Sequence, residues 1–494
     1  MKPFLAQKRL FTAALAAALG LISAGRAMAQ TFGLLYSFTL ASGFPVTNSD
    51  GDIPYGGVVL SSNTLYGTTY QGGTNGNGTV FAVNTDGTGF TNLHNFAASA
   101  SPGGPNSDGA GPYAGLALSS NTLYGTTYWS GLNGEGTIFA IHTDGTGFIN
   151  LHNFTAGADG AYPRDRLIVS GDTLYGTATL GGTGTATLGT VFRLKTDGTA
   201  FTNLHSFTGL SDGSSPYGGL VLSGDTLYGT GVTGGLIGTN GGSGTVFKLT
   251  TDGKTFTILH TFAPNPSPQE TNSNGVNPEA SLVLAGNTLY GTTQRGGSNG
   301  FGTVFAVNTD STGFTNLHIF SFAPYDDVSG NNTNSDGAIP LCELFLSGSN
   351  LYGTTLEGGP PGYGTIFALN TNGAGFTNLY NFGVGALAEF ASNPYAGPVL
   401  SSNTLYGTTT EGGPGFSGAV YAFGLGGSAP VPTPLNIQIT GTNLVLSWND
   451  ASSLFSLQAA PTLTGVFTNI AGATSPYTVV PGANSQQFFR LVSN

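Results

Sequence analysis

Apolar residues along this chain recur in short runs, alternate with polar neighbours, and are separated by clusters of Gly, Asn, Asp, Ser and Thr. That rhythm predicts short strands joined by tight turns, and no stretch beyond the N-terminus sustains a helical period. The segment Tyr55 to Phe96, YGGVVLSSNTLYGTTYQGGTNGNGTVFAVNTDGTGFTNLHNF, shows one whole unit. Four strands are expected in it: strand a over 57–60, strand b over 64–69, strand c over 78–84 and strand d over 90–96. Ser-Ser-Asn, Gly-Gly and Thr-Asp-Gly segments between them supply residues that tolerate positive φ or cap a reversal.

The unit repeats. Leu-Tyr-Gly-Thr begins at Leu65, Leu123, Leu174, Leu227, Leu289, Leu351 and Leu405, at spacings of 58, 51, 53, 62, 62 and 54 residues. Four short strands in a unit of that length are what one propeller blade requires. The ends of the array are complementary. Phe32 to Phe38 (FGLLYSF) matches strand d with no a, b or c before it, and the seventh unit stops after its c strand, GAVYAF at 418–423. A seven-bladed β-propeller closed by the N-terminal strand is therefore expected over 30–423, leaving no open blade edge. Residues 424–434 (GLGGSAPVPTP) read as a linker. Residues 435–494 alternate as further short strands and suggest a small immunoglobulin- or fibronectin-III-like β-sandwich.

Composition sharpens this picture. Only 7% of the 494 residues are charged and 81 are Gly, yet 33 Phe and 20 Tyr argue for a packed chain over a disordered one. Lys2, Lys8 and Arg9, the apolar run 10–25 and Ala27-Met28-Ala29 form a signal-peptide pattern over 1–29, with cleavage near Gln30. Export to the cell surface or medium is the expectation. Without 1–29 the four basic residues Lys2, Lys8, Arg9 and Arg26 are lost, so 12 − 4 = 8 basic residues face 24 acidic ones, a net charge near −16. So acidic a chain excludes nucleic acid and anionic lipid as natural partners. A single cysteine, Cys342, excludes a disulfide framework and is read as a small buried residue. No cofactor is implied, and a monomer is expected.

LYGTT, the following Gly-Gly, GTVFAVNTDG and FTNLHNF together resemble the Gloeo/Verruco (GloVer) tandem repeat of exported bacterial proteins, from Thr31 to Phe423. The resemblance implies an exterior location and carries no assigned activity or catalytic residues. The Gly-Gly pair after strand b is also similar, more weakly, to kelch repeats.

Candidate chemistry is sparse. Five of the six histidines, His94, His152, His205, His260 and His318, share one strand-d position that Tyr36 and Tyr380 fill elsewhere. Spread over separate blades, they read as packing groups, since a metal needs clustered ligands. Asp86, Asp144, Asp197 and Asp252 read as turn caps, and the Asp-Gly-x-x-Pro connectors at Asp50, Asp108, Asp212 and Asp336 as turns in preference to weak calcium loops. No nucleophile elbow, Walker loop, HExxH or dinucleotide fingerprint stands out.

Departures from the repeat carry more. At the start of strand a stand Tyr55, Tyr113, Arg164, Tyr217, Glu279, Leu341 and Tyr395; two residues on stand Gly57, Gly115, Arg166, Gly219, Ser281, Glu343 and Gly397. Before the Gly-Gly loop stand Gln71, Trp129, Leu180, Thr233, Arg295, Glu357 and Glu411. Propeller geometry puts all three sets on one face around the channel. The expected ligand surface is thus Tyr55, Tyr113, Tyr217, Tyr395, Trp129, Arg164, Arg166, Arg295, Glu279, Glu343, Glu357 and Glu411. Arg164 and Arg166 are expected to face Glu343 across the channel, with the Trp129 indole open for stacking. A non-catalytic binding or structural protein, contacting glycan or another envelope component, leads the readings. A polysaccharide-active glycoside hydrolase or lyase using a glutamate pair is the alternative, and a purely architectural protein the third.

Overall fold

The computed structural model describes residues 30–426 apart from 44, 100, 102–103, 185–186, 210, 238–239, 265–270, 327–330 and 384–390, and beyond them chiefly the strands of 436–493. The signal-peptide reading of 1–29 and most of the 424–434 linker lie outside the described residues. Strands account for the regular structure, and no helix occurs among the described residues. Contact density divides the chain into one unit spanning 32–423 and a second that contains 424–494.

The larger unit is a seven-bladed propeller of four-stranded antiparallel sheets. Its first blade comprises Val59–Ser61, Thr64–Thr69, Thr79–Asn84 and Thr91–Asn95. Blades 2 to 6 repeat it, with b strands beginning at Thr122, Thr173, Thr226, Thr288 and Asn350. The seventh sheet has the order Thr31–Ser37, Ala419–Gly424, Thr404–Thr409, Val399–Ser401. In the second unit, Asn436–Thr440, Asn443–Ser447 and Tyr477–Val479 form one three-stranded sheet, and Thr468–Asn469, Phe455–Ala460 and Phe488–Ser493 another.

The residues of the repeated tetrapeptide have distinct tasks, and Tyr66 is buried in the core. Leu65 is fully buried. Gly67 pairs with Phe81, whose ring would lie 2.5 Å from any Cβ at that position. The same crossing recurs at Gly125 over Phe139 and Gly353 over Phe367. Thr68 donates its hydroxyl to the Ala114 carbonyl of the next blade (2.8 Å), while Thr69 pairs with Thr79 in strand c (2.9 Å). The motif therefore serves the core and the junction between blades.

The strand-d histidines work at that junction too. His94 lies parallel to Phe148 of the next blade, centroids 3.7 Å apart, and bonds Asp108 at 2.7 Å. His152 on Phe201, His205 on Phe256, His260 on Phe314 and His318 on Phe376 repeat the stack. Tyr36 on Phe90 and Tyr380 on Phe32 complete seven. Tyr36 donates to Asp50 at 2.7 Å, which explains how Tyr substitutes for His.

Two expectations need correction. Strand a pairs only over three residues, Val59–Ser61 in blade 1, because the preceding residues turn towards neighbouring blades: a Cβ on Gly56 would meet the Ala114 backbone at 2.6 Å. The connector aspartates do more than shape turns. Asp50, Asp108, Asp212 and Asp336 each accept from the aromatic or imidazole of the preceding d strand and from a backbone N–H after it. Asp159 does the same in the third blade junction, whereas Asn274 takes the role beside His260. Asp86 behaves as expected, its carboxylate accepting from the Thr88 N–H at 2.9 Å.

Replacing His94 by Tyr should leave stability within about 1 kcal/mol, since Tyr36 makes both contacts elsewhere. His94→Ala loses the stack and strands Asp108, and should cost about 2–4 kcal/mol. Urea unfolding of both variants checks this.

Candidate functional site

The residues that open each a strand converge on the central channel. They line a cavity of ≈ 350 Å³ that includes Tyr55, Tyr113, Arg164, Arg166, Tyr217, Glu279, Glu343 and Tyr395. Eight of the twelve sequence-expected ligand residues are thus brought together. Trp129, Arg295, Glu357 and Glu411 do not line it.

Arg164 organises the upper level. Its Nη2 donates to the Tyr113 hydroxyl at 2.9 Å and to the Tyr395 hydroxyl at 2.7 Å. Its guanidinium also lies 4.7 Å from the Tyr113 ring centroid and 4.2 Å from that of Tyr217, so π faces and phenol oxygens share the charge. Glu279 stands 3.9 Å away. The expectation that Arg164 faces Glu343 is corrected: the tyrosines hold it, and its nearest carboxylate is Glu279. Burial pushes the Glu279 carboxyl up, while Arg164 and then Arg295 pull it down. Burial likewise pushes the Tyr113 and Tyr395 hydroxyls well up, so both stay protonated.

Below this level Arg166 reaches from blade 3 to Glu343 of blade 6 at 2.8 Å, as the opposite placement of those blades implies. The Arg166 charge is held on chiefly by Glu343; burial raises the Glu343 carboxyl and Arg166 lowers it. Both side chains keep over a third of their surface open, towards the cavity they line. The other inner-ring positions are glycine except Ser281, because backbones nearly touch: a Cβ on Gly115 would meet the Gly57 carbonyl at 3.0 Å.

Asp165 was missed by sequence reasoning. It accepts from Gly219 N–H at 2.6 Å and from the Ser281 hydroxyl at 2.8 Å, tying blade 3 to blades 4 and 5. Its equivalents are Gly56, Ala114, Gly218, Ala280, Cys342 and Ala396, so the signal was a lone charge in a small-residue set. Nearby, buried Thr126 lacks the partner that Thr68, Thr177, Thr230, Thr292, Thr354 and Thr408 find on the next blade's inner strand. The Arg-Asp-Arg run has changed that junction.

Trp129 is half-buried, not an open platform. Its Nε1 donates to the Tyr70 hydroxyl at 2.7 Å, and its ring meets Tyr128 and Tyr162 edgewise, 4.6 and 5.3 Å between centroids. Tyr70, Tyr128 and Tyr162 extend the channel tyrosines: Tyr55–Tyr70 is 5.4 Å and Tyr113–Tyr128 is 6.2 Å. Tyr162 occupies positive φ (55°) just before Pro163, a site also held by Ile53, Ser215, Asn277, Ile339 and Asn393. This strained position repeats around the ring, with Gly111 in the one remaining connector, and in six connectors turns out a variable side chain. Sequence reading overlooked it because the Asp-Gly-x-x-Pro connector was read for its aspartate alone, although the residue before each proline marks the position. Cys342 is buried, with its thiol pushed up to about 11 by burial, as expected for an inert residue.

The fold and this geometry define a seven-bladed propeller with an aromatic-rimmed, charge-bridged channel. Residues 103–272 match the Gloeobacter/Verrucomicrobia repeat, and the chain carries that repeat. No curated protein sequence matches. Among solved structures, an oligogalacturonate lyase from Vibrio parahaemolyticus is 9% identical, with 80% of this chain and 97% of that one covered and a TM-score of 0.46. A chain of a nidogen/laminin complex is 14% identical, covering 65% and 92%, at 0.38. The extracellular domain of a putative one-component system of B. thetaiotaomicron is 10% identical, covering 91% and 48%, at 0.47. Likenesses of this size carry no argument about activity.

Arg166→Ala should lower thermal stability by leaving Glu343 unpaired, and Glu343→Gln in the same chain should restore part of it. A double-mutant cycle should give a coupling on the order of 1 kcal/mol, because channel water screens the pair.

Proposed function

We propose that this is an exported binding protein whose channel mouth holds a glycan or another cell-envelope component. One observation carries the reading: departures from the sevenfold pattern, Arg164, Asp165, Arg166, Glu279 and Glu343, meet in one cavity beside four tyrosines. Positions that serve only the scaffold are filled alike in blade after blade. The signal-peptide pattern of 1–29 supports export, and the strand pattern of 435–494 supports a small β-sandwich appended to the propeller. The N-terminal strand is proposed as the closure of the ring, supported by its place in the seventh sheet.

A polysaccharide-active enzyme is the second reading. In its favour, Glu279 and Glu343 line the same cavity and burial raises both carboxyls. Against it, Glu343 is bridged to Arg166 at 2.8 Å, so one of its carboxyl oxygens is already occupied, a poor start for proton donation.

A glycan array probed with protein lacking residues 1–29 tests the binding reading. Binding without new reducing ends or unsaturated products is expected. Tyr55→Ala should weaken it about tenfold, in line with the apolar area of one ring. Turnover of a bound polysaccharide would favour the enzyme. Binding that survives changes at the mouth but fails when the opposite face is altered would remove the site assignment.

A further inference from the structure

The proton inventory of the cavity narrows the ligand class. Both protons on Arg164 Nη2 are given to phenol oxygens, one to Tyr113 and one to Tyr395. Each phenol keeps its own proton, and at most one of the two can go to the neighbouring phenol. At least one O–H therefore remains to be donated within the cavity these rings line. The complementary acceptor is Glu279. Its side chain is 14% exposed, Arg164 stands beyond hydrogen-bond reach at 3.9 Å, and no donor among the described residues engages its carboxylate. A ready donor and a ready acceptor thus share one tyrosine-lined space.

Charge decides between kinds of ligand. Two arginines line the cavity against three carboxylates, Asp165, Glu279 and Glu343. Arg166 is taken by Glu343 and Arg164 by phenols and ring faces. Arg295, exposed at the rim, already has a partner of its own. An anionic ligand would meet net negative charge and would have to displace an existing contact to find a cation.

We propose that the channel mouth selects an uncharged, polyhydroxylated ligand, a neutral oligosaccharide, with Glu279 accepting from its hydroxyls and the Tyr113–Tyr395 pair donating to one of its oxygens. This rests on the binding reading above. Arg164 is then a positioning residue: it fixes the two phenol oxygens and leaves one phenol proton for the ligand. Half-buried rings supply flat apolar surface without presenting charge.

Calorimetry with neutral hexasaccharides from cellulose, xylan, mannan and starch, beside hexagalacturonate and hexaguluronate, provides the test. At least one neutral probe should bind about tenfold or more tightly than either acidic one, and Glu279→Gln should weaken it about tenfold. Tyr395→Phe, which removes the donated proton and the acceptor of one Arg164 N–H but keeps the ring, should weaken the same probe about threefold to tenfold while the protein still unfolds as one cooperative unit. If a variant misfolds, the neutral-to-acidic ratio on the unaltered protein still decides. Tighter binding of an acidic probe that is lost in Tyr55→Ala would overturn the neutral-ligand inference and leave the binding reading standing. Binding of no probe of either class would overturn both.

Discussion

Stacking of one ring on another between adjacent blades is the contact on which the propeller depends. Each blade offers a His or Tyr from its outer strand to a Phe that opens the outer strand of the next, at centroid distances between 3.6 and 4.2 Å. The polar tip of that His or Tyr reaches a buried or partly buried side chain of the following connector, as in His94 to Asp108 and Tyr36 to Asp50. One side chain thereby fixes the spacing of two sheets and the path of the loop between them. Loss of any one contact is modest; the set defines the ring.

A scaffold so repetitive makes its exceptions informative. Where the inner ring is glycine, neighbouring backbones approach within contact distance and no side chain enters the channel. Arg166, Ser281 and Glu343 break that rule: Arg166 and Glu343 bridge blades 3 and 6, while Ser281 donates to Asp165, which ties blade 3 to blades 4 and 5. These charges are costly to desolvate, and pairing offsets the cost without adding much stability. Their concentration in one cavity beside four tyrosines is what the proposed binding role rests on.

Much of this was legible in the amino-acid order. The b strand of blade 1 begins and ends where the pattern put it, because Leu-Tyr-Gly-Thr satisfies core, crossing and junction at once. The inner strand was overextended, since apolar Gly57–Val58 reads as strand although those residues pack on other blades instead of pairing with strand b. The tyrosines, arginines and glutamates of the cavity stood out as breaks in aligned columns. Their partners did not: the repeat makes Arg164 stand out but says nothing of the Tyr113 and Tyr395 hydroxyls that hold it. Asp165 and Tyr162 lie between the columns compared, and Trp129 looked open because sequence says nothing of the Tyr70 hydroxyl that receives its N–H.

Stability on this view resides in a circle of ring contacts, two of which come from the N-terminal strand through Phe32 and Tyr36. Calorimetric unfolding of protein with residues 30–38 deleted tests it most directly. The account predicts a clear drop in melting temperature, larger than for any single strand-d substitution, with aggregation through the uncovered edge of Ala419–Gly424. A deleted protein that unfolds at the same temperature, as one cooperative unit, would contradict it.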